Sequence, residues 1–184
     1  MARLGKNVSF KREFLEAHNS YRKLHGAPPL ALSSELNATA QKWADRLLAL
    51  GLMNHSDTKD GENIYTVLKS EQLTAVDSWY SEVKDYNWNN PGLKSNTGHF
   101  TQVVWKETTQ LGVGVATVGT RSYVVAQYRP AGNMTMPGKF ESNVLRQGKG
   151  KQHFREYTFS FFWLLFFNLG YNDSLSVVFT DTRW

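Results

Sequence analysis

The sequence predicts an α+β fold in which helices pack on a mostly antiparallel sheet. Three observations carry this. Apolar residues recur at helical spacing in three runs between residues 10 and 86, two β-branched and aromatic runs follow a short glycine loop apart after residue 110, and no βαβ unit repeats.

The first helical run is Phe10, Phe14, Ala17, Tyr21 and Leu24, spaced four, three, four and three, with Ser9 as the expected N-cap. His18 and Arg22 lie close to this stripe. Gly26 and the Pro28-Pro29 pair stop it, because proline lacks the N–H donor and pushes its predecessor out of the α region. The second run, Leu36, Ala40, Trp43, Leu47 and Leu50, begins behind Ser33 and Ser34 as caps and ends at Gly51. The third begins near Thr74 with Ala75, Trp79, Val83 and Tyr86 on one stripe and Glu82 beside it, until Asn89-Asn90-Pro91-Gly92 forces a turn. Leu111 to Val118 and Ser122 to Arg129, joined by Gly119-Thr120-Arg121, read as an antiparallel hairpin.

The organisation expected from these runs is an N-terminal arm over 1–9, one domain over 10–145 and an atypical aromatic-rich tail over 146–184. The tail opens with a basic stretch from Arg146 to Arg155 and continues into an apolar run from Tyr157 to Phe167. That run is shorter than the ~20 residues that span a bilayer, and Asn168, Asn172 and Asp173 interrupt its extension. It reads as poorly ordered or, alternatively, as an interfacial anchor helped by Lys149, Lys151 and Arg155.

Cysteine is absent, which excludes disulfides, thiolate metal sites and a cysteine nucleophile and fits a cytoplasmic chain. The opening residues carry no apolar h-region, and Ala2 stands where N-myristoylation needs glycine, so neither a secretory signal nor an acyl anchor is expected. Five glycosylation-type triplets, beginning at Asn7, Asn37, Asn54, Asn133 and Asn172, are read as coincidence on that basis. The net charge of +5 favours anionic surfaces. No arginine-rich helix, RNP-like strand or zinc-finger spacing accompanies it, so no nucleic-acid partner is expected.

Gly98-His99-Phe100-Thr101-Gln102-Val103-Val104-Trp105 and Tyr128-Arg129-Pro130-Ala131-Gly132-Asn133 resemble the two signature segments of the CAP superfamily of cysteine-rich secretory, antigen and pathogenesis-related proteins. His18-Asn19-Ser20-Tyr21-Arg22, Asn54-His55-Ser56 and Gly61-Glu62-Asn63 match further family segments in order, so the resemblance covers roughly residues 10 to 145. It implies a CAP-type α/β/α sandwich. Ala126 departs from the pattern, standing where the second signature usually has cysteine. The resemblance is strongest to the Golgi-associated branch, which implies a protein peripheral on the cytoplasmic face of Golgi or other membranes. An extracellular location, as for most of the family, is the alternative.

Carried over residue by residue, the resemblance implies a cleft tetrad of His55, Glu62, Glu82 and His99, with His55 and His99 as ligands for Zn²⁺. Two imidazoles leave positions for water and place carboxylates as outer partners or general bases, but a catalytic zinc usually has three protein ligands. Ser56 is the nucleophile a serine-type reading would choose, although no Gly-x-Ser-x-Gly elbow is present. A scaffold reading stands beside both: Phe100, Val103, Val104 and Trp105 as plain core, with His99 fixing its neighbours. The preferred function is a non-enzymatic CAP-domain protein that associates with anionic phospholipid membranes and protein partners, a homodimer among them, with a zinc-responsive cleft. The alternative is a zinc-assisted or serine-type hydrolase using the same tetrad.

Overall fold

The computed structural model describes residues 2–68 and 71–148. These fall in the compact unit Met1–Gly150; the second unit, Lys151–Trp184, and with it nearly all of the tail, lies outside the described residues. Of the tail, Arg146 sits 5.4 Å over the ring of Trp88, and the Gly148 amide donates to the Leu24 carbonyl.

Among the described residues, ten elements build the unit. Helix α1 is Ala2–Leu24, β1 Ala31–Leu32, α2 Ser34–Leu50, β2 Gly61–Leu68, α3 Thr74–Ser81, α4 Gly98–Val104, β3 Gln110–Val118, β4 Arg121–Arg129 and α5 Lys139–Asn143, with a 3-10 turn at Glu82–Asp85. Two expectations change. The helix expected to start at Ser9 already runs from Ala2, through the residues assigned to an arm, so Ser9 is an interior residue whose hydroxyl donates to Glu13 one turn on rather than an N-cap. The third helix tightens into the 3-10 turn at Glu82 and leaves Tyr86 extended, so its helical stripe ends short of the Asn89-Asn90-Pro91-Gly92 turn. Helix α2 keeps its predicted ends: Ser33 accepts from the Leu36 amide, and Gly51 takes the left-handed conformation at φ 64° that a side chain would resist.

The sheet is mixed, in the order β1-β3-β4-β2, with β1 parallel to β3 and the other pairs antiparallel. Strand alternation sends its side chains into two separate cores. Val113, Val124, Ala126 and Tyr128 join Phe14, Trp79, Phe100, Val103 and Trp105 from α1, α3 and α4 on one face. Ile64, Ala116, Tyr123 and Val125 join Ala40, Ala44 and Leu47 of α2 on the other. The result is three layers, helix on sheet on helices. Each fully buried Trp, Phe or Leu contributes about 1.5–3 kcal/mol by leaving water, so the layers hold without a disulfide.

Strand β1 covers only two residues of β3. Beyond it the exposed edge of β3 is completed by α2: the Val113 amide donates to Asn37 Oδ1 (2.8 Å), the Val115 amide to Gln41 Oε1 (3.0 Å), and Gln41 Nε2 to the Val115 carbonyl (2.8 Å). Two helix side chains thus stand in for a missing strand, as buried backbone groups require. Asn37, the head of one glycosylation-type triplet, is engaged in this way.

Candidate functional site

Helix α4 carries His99 in its first turn, and both of its ends are held by charge. Its N-cap residue, Thr97, makes no side-chain cap bond; instead the Glu82 carboxylate reaches across from the 3-10 turn and accepts the amides of His99 (3.0 Å) and Phe100 (3.1 Å) on Oε2. At the other end the Arg22 guanidinium donates to the carbonyls of Val103 (3.0 Å) and Trp105 (2.8 Å). An anion at the N-terminus and a cation at the C-terminus both match the helix dipole. Glu82 Oε1 also accepts the Nδ1–H of His99 at 2.7 Å, so one carboxylate both starts the helix and orients its imidazole.

His55 has the same arrangement in a different setting. Its Nδ1–H donates to Glu62 Oε1 at 2.9 Å, and Glu62 also accepts the Ser56 amide (2.9 Å), the Ser56 hydroxyl (2.6 Å) and Gln127 Nε2 (3.0 Å). The Glu62 side chain is 3% exposed and that of His55 66%, so the acid is the fixed member and the imidazole the accessible one. Burial pushes the Glu62 carboxyl up, but the bonds from His55, Ser56 and Gln127 outweigh it and hold it below its usual range. The bond to Glu62 raises His55 against its partial burial.

That direction makes a prediction. The His55 ring titration, followed by NMR, should have its midpoint above 6.5 and fall back towards it in Glu62→Gln. Because the folded value is the raised one, what the pair adds to stability is full below the unfolded value and fades as pH rises through the folded one. A His55 midpoint unmoved by Glu62→Gln would refute the pairing.

His55, Glu62 and His99 line one open cleft of about 430 Å³ with Asn63, Leu93, Lys94, Ser95, Gly98 and Asn133. Glu82 is not in its wall and acts through His99. With both Nδ1 atoms committed to carboxylates, each imidazole has Nε2 left for a ligand. Imidazole nitrogens of this kind are donors that divalent cations take, and a carboxylate behind each ring is the kind of outer partner that fixes ligand histidines. Among the described residues no group of three or more His, Cys, Asp or Glu side chains is placed to hold a metal.

The Ser56 hydroxyl donates to Glu62 with no imidazole between them, whereas a serine triad needs the histidine in the middle. Ser56 lines a separate groove along α2 rather than the cleft wall. Phe100, Val103, Val104 and Trp105 are fully buried, so the first signature segment serves the core as well as the cleft.

Sequence reasoning missed three supports. Gln127 bonds Glu62; its signal was an amide in an otherwise apolar strand run. Asn133, at φ 59°, donates to the Gly98 carbonyl (2.9 Å) and accepts the Thr101 hydroxyl (2.6 Å), fixing the start of α4. Gln102 Oε1 accepts the Gly132 amide at 2.9 Å, and a Cβ at Gly61 would lie 2.0 Å from that same oxygen. The buried Gln102 therefore clasps the glycines of two distant motifs, which is why side chains are excluded from both.

Beneath the cleft, Asn63 Nδ2 donates to the His99 carbonyl (3.2 Å) and to the Tyr128 hydroxyl (3.3 Å), which in turn lies 2.8 Å from His18 Nε2. Burial holds His18 down to about 4, so it is a neutral member of this network at physiological pH.

Residues 15–128 match the family model described as CAP, the cysteine-rich secretory protein family. The chain belongs to the CAP family. Golgi-associated plant pathogenesis-related protein 1 of Homo sapiens is 44% identical over 150 residues, covering 77% of this CAP chain and 97% of the relative. Protein PRY2 of Saccharomyces cerevisiae is 37% identical over 139 residues, which is 74% of this chain but 41% of PRY2, so the chain spans less than half of that protein. Among solved structures, NaASP2 with Zn²⁺ aligns at a TM-score of 0.59 and 29% identity, covering 74% of this chain and 85% of the other. Hookworm platelet inhibitor aligns at 0.60 and 20% identity, covering 76% of each, which bears on the fold alone. The α+β, CAP-type sandwich expected from the sequence is thus the fold observed, in a CAP-domain protein of the pathogenesis-related kind.

Proposed function

We propose that this CAP domain is a binding module rather than a hydrolase: it takes a divalent cation, zinc foremost, between His55 and His99, and associates with anionic membrane surfaces and protein partners. The observation that carries the reading is the pair of Nδ1–carboxylate bonds, His55 to Glu62 and His99 to Glu82, which leave Nε2 of both rings for one cleft. Zinc in that cleft would act as a Lewis acid and bridge to an anionic ligand.

Hydrolysis is disfavoured by the same bonds. Glu62 already accepts four hydrogen bonds and is held more acidic than usual, so it is a weak general base, and Glu82 is occupied with the start of α4. A second copy of the chain remains one of the proposed partners.

Membrane association rests on the net charge of +5, with Arg3, Lys6, Lys11 and Arg12 near one end and Lys149, Lys151 and Arg155 near the other. Among the described residues no helix is long and apolar enough to cross a membrane. The human relative named Golgi-associated favours a peripheral place on such membranes; the Candida albicans relative named secreted protein RBT4, 39% identical over 77% of this chain, favours the extracellular alternative.

Cosedimentation of the full chain with anionic and neutral liposomes tests this. Binding should be confined to anionic vesicles and weaken at high salt. His99→Ala should abolish zinc uptake in calorimetry while sparing zinc-free lipid binding. Turnover of a fluorogenic ester or peptide that disappears in His99→Ala would establish the hydrolase instead.

A further inference from the structure

A second concave site lies on the α2 side of the sheet, apart from the His/Glu cleft. It is a groove of about 430 Å³ walled by Thr39, Lys42, Trp43 and Arg46 of α2, by Ser56, Asp57 and Thr58, and by Gln127 of β4. The binding reading above makes no use of it.

Lys42 and Arg46 are one helical turn apart, so both cations project from one face of α2 over the groove. Both are exposed, and neither makes an ion pair among the described residues. Among the described residues, Arg12 by contrast pairs with Glu16, Arg129 with Asp60 and Glu35, and Lys139 with Glu107. Beside Lys42 and Arg46 in the wall is Trp43, half-buried, whose indole N–H donates to the Asn54 carbonyl at 2.9 Å and so fixes the ring. The far side is fixed too. The Ser56 hydroxyl and Gln127 Nε2 both end on the buried Glu62, and the Thr39 hydroxyl donates to Gln127 Oε1. Asp57 and Thr58 add an acceptor and a hydroxyl from the loop that also lines the groove.

We infer that this groove binds a small anionic carbohydrate, a sugar or polyol bearing a phosphate or sulfate ester. The ester sits on Lys42 and Arg46, where a guanidinium fork and an ammonium meet a tetrahedral anion. The ring packs on Trp43, and the sugar hydroxyls donate to Asp57 and bond Thr58. Lys42, Arg46, Trp43, Asp57 and Thr58 each have a task under this assignment. A bare inorganic anion would leave Trp43 and Asp57 without one. A neutral sugar would leave both cations unused. The site does not depend on metal in the cleft, so its success or failure is separate from the zinc reading.

The test is a titration of the full chain with glucose 6-phosphate, glucose 6-sulfate, inorganic phosphate and glucose. It is followed by the indole N–H resonance of Trp43, which is assigned by its loss in Trp43→Phe. A saturable shift with one or both sugar esters, at least tenfold weaker with inorganic phosphate or glucose, is expected. Arg46→Gln and Lys42→Gln should each weaken it by about tenfold, the usual effect of one charge-assisted hydrogen bond, while Lys84→Gln, outside the groove, should leave it unchanged. Both substituted positions are exposed, so the fold is not at stake. Comparison of the two esters identifies phosphate or sulfate as the preferred group. Equal binding of inorganic phosphate, a shift that survives Arg46→Gln and Lys42→Gln, or no saturable shift with either ester would each overturn the assignment.

Discussion

Arg22→Met should cost this protein about 3–5 kcal/mol, enough to leave much of it unfolded at 37 °C. Arg22 is fully buried and has no carboxylate partner among the described residues; its guanidinium is satisfied by four carbonyls, those of Pro28, Val103, Trp105 and Thr108, at 2.8–3.0 Å. Burial brings it down to about 10, so it stays charged at neutral pH. Methionine fills much of the volume and removes a desolvated charge, which offsets part of the loss, but it leaves four inward carbonyls without their donor. Arg22→Lys keeps the charge and should still lose more than half as much, because a single ammonium cannot reproduce a planar fork aimed at four acceptors. Urea midpoints followed by circular dichroism measure both. A loss below 1 kcal/mol for Arg22→Met would show that the carbonyls find other donors.

The consequence extends to the cleft. Two of those four carbonyls belong to the C-terminal end of α4, and the carboxylate at its N-terminal end is the one that orients His99. The helix that carries a site imidazole is therefore held at its far end by a buried arginine outside the cleft lining. His18 and Arg22, which sit in one matched segment of α1, divide this support: His18 braces Tyr128 and, through it, Asn63 under the cleft, while Arg22 holds the end of α4.

How far the sequence could carry this differs by element. Helix α2 was readable end to end, because a serine cap, a 3.6-residue stripe and a left-handed glycine are all local signals. The β3–β4 hairpin was readable for the same reason, and its two-residue turn at Gly119-Thr120 is one residue shorter than predicted. Strand β2 was not read as a strand. Its Gly61-Glu62-Asn63 start looks like a polar loop until Gln127 and Tyr128 of the neighbouring strand are placed beside it. Strand β1 has two residues and no period to detect. The helical spacing of Trp79, Val83 and Tyr86 masked the change to a 3-10 turn, which is decided by Glu82 reaching for α4 rather than by the apolar stripe. At the site, no local pattern pairs Glu82 with His99 seventeen residues on; the four residues came from resemblance, and the structure pairs each histidine with its own acid.

The other large effect should come from a single methyl group in the middle of β3. Gly114→Ala places a Cβ 2.3 Å from the Gln41 amide nitrogen and 2.4 Å from the Ala40 carbonyl carbon, and Gly112→Ala one 2.2 Å from the Leu36 carbonyl carbon. These are backbone atoms of α2, so no side chain can swing aside, and the helix itself has to lift. Lifting breaks more than van der Waals contact. Asn37 and Gln41 complete the free edge of β3, and their bonds to Val113 and Val115 lengthen with the helix. Overpacking alone costs about 1–3 kcal/mol and the loosened edge adds to it, so each variant should lose about 3 kcal/mol or more. Gly119→Ala supplies the contrast. That glycine has φ 55° in an open turn with nothing within 4 Å, so alanine there meets only the backbone penalty of about 1 kcal/mol. Urea denaturation of the three variants separates close approach from backbone freedom: if Gly114→Ala loses no more than Gly119→Ala, α2 does not rest on the glycines of β3.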